Sequence, residues 1–190
     1  VDESADLNKA VEIAFNAKVQ RPSVCNALDS LLVHSEIAKS YLPIIAKRWS
    51  DAGVEIHADK RSLSILGPEN ELNLIAATDQ DWGTEFLSLT AAVKVVDSLE
   101  EAISHIDAYG SGHSEAIITE NQDAANEFLD AVDAAAVFTN ASTRFNDGAE
   151  FGLGSEVAIS TDKMHARGPM GIKELTSYKW IVRGSGQTRP

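Results

Sequence analysis

The chain has 190 residues, a net charge of −13, 44% hydrophobic and 24% charged residues, which fits a folded globular chain of one domain, or one domain with an arm. Such an acidic chain lacks the clustered Lys and Arg that phosphate neutralisation needs, so neither nucleic acid nor an anionic membrane surface is an expected partner. No apolar run is long enough to cross a bilayer, and VDESADLNKA (1–10) has neither the basic nor the apolar region of a signal peptide.

In chain order, Leu7, Val11, Ala14 and Phe15 recur at helical spacing and predict a first helix near 5–19. RPSVCNA (21–27) follows and holds the chain's one cysteine, Cys25. A lone cysteine cannot form an internal disulfide, and it fits a reducing, cytoplasmic setting. It is either a structural thiol or a nucleophile. Placed at the start of a helical turn, it would meet the positive end of the backbone dipole, which favours thiolate. SLLVHS (30–35) predicts a strand. Ser35 is the expected cap of a helix carrying Ile37, Tyr41, Ile44, Ile45 and Trp49, which Gly53 would end.

VEIHA (54–58), NLIAAT (73–78) and LTAAVKVV (89–96) predict further strands, nearly continuous in apolar residues, as strands buried on both faces of a parallel sheet are. Ser98 with Glu101 forms a capping box for a helix that Gly110 would stop. EAIIT (115–119), a helix capped by Asn121, and AAVFTN (135–140) complete an α/β sandwich. His34, His57 and His105 read as surface or strand-edge residues. His113 and His165 lie in glycine-flanked loops, and no histidine pair has metal-ligand spacing, so no metal site is expected.

After Asn140 the stretch ASTRFNDGAEFGLGSE predicts a long irregular loop of the kind that carries function. Arg144 within it suits a carboxylate or phosphate, or else pairs with Asp147 to hold the loop. Lys163, His165, Arg167, Lys173, Lys179, Arg183 and Arg189 make the last quarter basic, as an anion site or as a solvated tail. YKWIVRGSGQ (178–187) predicts an uncovered terminal strand that invites pairing with another chain. None of the GLG or GSG triplets has the spacing of a dinucleotide fingerprint.

Four stretches, QRPSVCNALDSLLVH, DWGTEFLSL, NASTRFNDGAEFGLGSEVAIST and HARGPMGIKELTSYKW, together resemble the gamma-glutamyl phosphate reductases (glutamate-5-semialdehyde dehydrogenases) of the aldehyde dehydrogenase superfamily. The resemblance runs from about Asp6 to Gln187. It implies a three-layer α/β/α aldehyde-dehydrogenase-like catalytic domain over 1–170 and an arm over 171–190, pairing between subunits of a homo-oligomer through 178–187. It places Cys25 on the catalytic cysteine, which attacks L-glutamyl 5-phosphate to form a thioester that NADPH reduces to L-glutamate 5-semialdehyde, in proline biosynthesis. It places Glu85 and Phe86 near the nicotinamide ribose. Asn140, Ser142, Thr143 and Arg144 fall at the substrate end, with His113 a further substrate-binding candidate. In that family an NADPH-binding domain precedes the catalytic one. The chain therefore resembles the C-terminal catalytic portion, expected to be inactive alone, in the cytoplasm. The competing expectations are an idle oligomerisation module and another enzyme of the superfamily.

Overall fold

The computed structural model describes residues 1–67 and 72–190. Strands and helices alternate, as expected: α1 Leu7–Val19, β1 Ser30–His34, α2 Ser35–Asp51, β2 Glu55–Ala58, α3 Lys60–Leu66, β3 Leu74–Ala76, β4 Thr90–Val96, α4 Leu99–Tyr109, β5 Ser114–Ile117, α5 Gln122–Ala131 and β6 Ala136–Thr139. All the strand pairings are parallel, β1-β4-β2-β3 in one sheet and β5-β6 in a second. The backbone of Val1 and Asp2 links the sheets. It bonds to Leu32 and His34 beside β1 on one side, and to Ile118 at the end of β5 on the other.

The core follows from the apolar periodicity. Tyr41, Leu42, Ile45 and Trp49 of α2 are buried against Leu31 and Val33 of β1 and Val93 and Val95 of β4. Such a cluster removes the apolar surface that drives folding. Tyr41 keeps its hydroxyl satisfied by donating to the carbonyl of Ala10 (3.1 Å), which ties α1 to α2. Strand β4 is buried on both faces, and its opposite face brings Lys94 to His105 of α4.

The caps refine the expected boundaries. Asp6 caps α1, and Asn121 caps α5. The cap of α2 is His34, not Ser35, its Nδ1 accepting from the Glu36 N–H (3.3 Å). Ser98 accepts from the Glu101 N–H as a capping box requires, but Glu101 accepts in return from Asp97, one residue further back. Gly53 has φ +81, the left-handed conformation that a helix end favours. Gly110 ends α4 differently. Its φ is −66, and it is needed because a Cβ there would stand 2.6 Å from the carbonyl of Ile106.

Helix α3 adds to the expected elements: Asp59 caps it through the Ser62 N–H (2.8 Å) and Gly67 ends it at φ +67. In the single chain residues 178–187 are extended and pair with no strand among the described residues. The side chains of Tyr178, Trp180, Ile181 and Val182 stand exposed. The loop after Asn140 is irregular, as expected, with one 3-10 turn at Thr143–Phe145 and an isolated bridge between Ala158 and Met170.

Candidate active site

Between α1 and β1 the chain crosses a short non-helical passage that carries Cys25. Three contacts hold it. The Ala27 N–H donates to the Val24 carbonyl (3.0 Å), and the Leu28 N–H to Ala17 (2.9 Å). Lys18, fully buried, donates to the Leu28 carbonyl (2.7 Å) with Asp29 at 3.5 Å. Burial pushes the Lys18 pKa down against the pull of Asp29. Its ammonium therefore works as a structural donor.

Cys25 itself is exposed at the rim of a cleft. It sits in a turn and not at the start of a helix, so the expected help from a helix dipole is absent. Its pKa moves up instead of down. Partial desolvation is the largest cause, joined by the carboxylates of Glu156 and Glu85, while its own backbone N–H and Arg144 act the other way. A thiol set this way is held neutral until positive charge offsets the acidic surroundings.

The loop after β6 closes behind Cys25. The Thr143 hydroxyl donates to the Asn26 carbonyl (2.7 Å), and Asn26 Nδ2 donates to the Asn146 carbonyl (3.1 Å). Asn146 Nδ2 donates to Ser114 Oγ (2.8 Å), which lies 2.6 Å from His113 Nδ1. Ser142 is buried and caps the 3-10 turn through the Arg144 N–H (3.3 Å). The Arg144 guanidinium donates to Gln20 (2.7 Å) and not to Asp147, which instead accepts from the N–H groups of Ala149 and Glu150. The side chain of Asn140 is committed elsewhere. At φ +53 its amide brackets Thr119, accepting from the N–H (2.9 Å) and donating to the carbonyl (2.8 Å).

The cleft has a volume of about 560 Å³. Its walls bring together Cys25, Thr143, His113, Ser114 and Glu85 with Trp82, His105 and Tyr109. His113 is buried, and desolvation lowers its pKa against the pull of Glu156 and Glu85, so its imidazole is neutral near pH 7. Phe86 is not among the lining residues. Its N–H donates to Asp29 (3.2 Å), and its ring meets His57 edge-on at 5.5 Å. His57 is held by Asp81 (2.7 Å) and Glu55 (2.9 Å). His105, read from sequence as a surface residue, is 6% exposed between Trp82 and Tyr109.

The basic residues of the last quarter do not converge on the cleft. Lys163 and Arg167 both pair with Asp133, and Trp180 to Arg189 are exposed. Among the described residues no His, Cys, Asp and Glu side chains gather as a metal site. Asn26, Ser114, Asn146 and Glu156 were missed in the sequence. The density of Asn, Ser and Asp after residue 139 hinted only at Asn146, because its partners Ser114 and Asn26 lie 32 and 120 residues away.

No protein-family model matches the chain. It is 62% identical over 189 residues to a gamma-glutamyl phosphate reductase of Dehalococcoides mccartyi, the match covering all of this chain and 45% of that protein. The chain thus spans somewhat less than half the length of the curated relatives it matches. The solved gamma-glutamyl phosphate reductase of Thermotoga maritima superposes on all of it at a TM-score of 0.92 and 50% identity, over 44% of its own length. The lactaldehyde dehydrogenase of Escherichia coli, 15% identical, shares the fold over 74% of this chain at a TM-score of 0.57. The architecture is that of aldehyde dehydrogenases.

Proposed function

We propose, from a kinship with gamma-glutamyl phosphate reductases that extends over 189 residues, that this chain is the cysteine-bearing catalytic part of such a reductase. The observation that carries the reading is the cleft in which Cys25 meets Thr143, His113 and Glu85, with Arg144 among the charges acting on the thiol. The substrate is L-glutamyl 5-phosphate, in the synthesis of proline.

The Cys25 thiolate attacks the γ-carbonyl carbon. An S–C bond forms, the C–O bond to phosphate breaks, and inorganic phosphate leaves with the electron pair, giving a thioester. An anionic substrate entering beside Glu85 and Glu156 meets repulsion, so Arg144 supplies the compensating positive charge for its phosphate or carboxylate. Arg144 is free to do so by exchanging a neutral partner, the Gln20 amide, for an anion. Thr143, Ser142, His113 and Asn140 shape the substrate end: Thr143 and His113 line the cleft, while Ser142 and Asn140 hold the loop that presents them.

Glu85 on the cleft wall fits a ribose hydroxyl, and Phe86, turned toward His57, supports that segment from behind. These residues would hold the ribose of a bound NADPH, which would supply the hydride that takes the thioester to the aldehyde level. Collapse of the resulting thiohemiacetal breaks the S–C bond, returns the sulfur as thiol and releases L-glutamate 5-semialdehyde. The domain is residues 1–170, and the exposed apolar arm, 171–190, pairs with a second subunit through 178–187.

The test is phosphate-dependent oxidation of glutamate 5-semialdehyde, assayed in a protein carrying this chain at the length of its relatives. Cys25→Ala abolishes turnover, and Arg144→Ala raises KM for the semialdehyde or for phosphate while leaving that for the cofactor unchanged. Retained turnover in Cys25→Ala would refute the nucleophile.

A further inference from the structure

Behind Cys25 lies a polar network whose centre has no role in the reaction just described. Asn146 is 1% exposed and stands at its centre. Its backbone carbonyl accepts from Asn26, the residue after Cys25, whose own carbonyl is held by the Thr143 hydroxyl. Its side-chain Nδ2 donates to Ser114 Oγ, and Ser114 Oγ lies 2.6 Å from His113 Nδ1. One buried asparagine thus touches the turn of the thiol with its main chain and the support of the histidine with its side chain.

The direction of the second arm has a chemical consequence. With Nδ2 donating to it, Ser114 Oγ has its own proton left to give, and His113 Nδ1 is the acceptor in reach. An imidazole that accepts at Nδ1 carries its proton at Nε2. His113 is 8% exposed, lines the cleft, and its Nε2 is buried with no hydrogen-bond partner among the described residues. Leaving a buried donor unmade is expensive, so an unpaired N–H on a cleft wall fits an acceptor that arrives with the ligand.

We propose that Asn146 is a positioning residue that couples the two halves of the site, fixing the Cys25 turn through Asn26 and fixing His113 as the Nε2–H tautomer through Ser114. His113 then donates to an oxygen of the substrate bound alongside Cys25. This rests on reading Cys25 as the nucleophile, but the measurements that test it need only the thiol and the imidazole. Failure of Cys25 to form a thioester would sink that reading and leave the coupling standing.

The lone cysteine makes the thiol arm readable on the 190-residue chain, since iodoacetamide can alkylate no other cysteine. Long-range 1H–15N correlation spectra read the tautomer of His113. The expected wild-type result is a protonated Nε2 and an unprotonated Nδ1; a protonated Nδ1 overturns the proposal. Thr143→Val should loosen the turn, ease the burial that raises the thiol pKa, and lower the pH midpoint of alkylation. At a fixed pH below that midpoint the rate rises roughly fivefold, the scale of one lost hydrogen bond, with the His113 nitrogen shifts unchanged. Ser114→Ala should do the reverse, mixing the tautomers and leaving alkylation as it was. Asn26→Ala removes the amide that donates to the Asn146 carbonyl and should move alkylation as Thr143→Val does. Asn146→Ala keeps that carbonyl and loses only the donor to Ser114, so it should mix the tautomers and leave alkylation as it was. An Asn146→Ala protein that folds with unchanged His113 shifts, or an Asn26→Ala protein that folds with unchanged alkylation, overturns the proposal. If those variants do not fold, Thr143→Val and Ser114→Ala decide it: each must move its own readout and spare the other.

Discussion

His105 and Glu115 sit under the same cleft and carry opposite pH signatures. Burial, helped by the charge of Lys94, lowers the His105 pKa to about 4 from 6.5. Unfolded chains therefore take up a proton that the folded one refuses, and stability falls as the pH falls from 6.5 toward 4. Burial raises the Glu115 pKa to about 7 from 4.5. There the folded chain keeps a proton that the unfolded one has lost, and stability falls as the pH rises from 4.5 to 7. Urea unfolding across pH 4 to 8 separates them. His105→Gln should flatten the acid side of the profile, while Glu115→Gln should stabilise at pH 8 and do nothing at pH 4. Unchanged profiles would place both groups in water. Cys25 belongs to this scale too. Its thiol is not activated by a helix end, so the sequence-based account of its thiolate gives way to one in which positive charge, such as that of Arg144, must tip the balance.

At the scale of elements, what holds the site is the connection between pieces. Helix α4 ends at Gly110, where the chain turns down toward His113 and β5. Gly110→Ala would drive a Cβ to 2.6 Å from the Ile106 carbonyl, so the end of α4 must move, at a cost of ~1–3 kcal/mol. A denaturation midpoint unchanged by that substitution would show that the turn can open without loss. The elements were largely legible because apolar spacing and caps are local: Asp6, Gly53 and Asn121 mark their boundaries in the sequence itself. Helix α3 was equally marked, by Asp59 and Gly67, but its seven residues are too short for a full apolar stripe. The bracket behind Cys25 could not be read that way. Asn26 and Asn146 are 120 residues apart, and nothing local to either tells which backbone carbonyl or hydroxyl it will meet. Likewise, Asp147 is the near neighbour that the sequence offers as one of two partners for Arg144, whereas the fold brings it to Gln20.

For the molecule as a whole, the last residues break the rule that gathers large apolar side chains in the core. Tyr178, Trp180, Ile181 and Val182 are 70 to 88% exposed in one run. Apolar side chains gathered like this cost free energy in water and gain it in a ladder with a second chain. Sedimentation velocity should show a protein that assembles at micromolar concentration and a 178–190 deletion that stays monomeric. Identical oligomers from both would remove the arm from the interface. The reductase reading belongs to this scale, because the cleft draws on α1, β1, α4, β5 and the loop after β6 together. Its central claim is covalent. L-Glutamyl 5-phosphate, generated in place and offered without cofactor to a protein of the relatives' length, should leave one glutamyl group as a thioester. Intact mass and peptide mapping should place it on Cys25, with no adduct in Cys25→Ala. A glutamyl group mapped to another residue, or an adduct that survives in Cys25→Ala, would contradict the account.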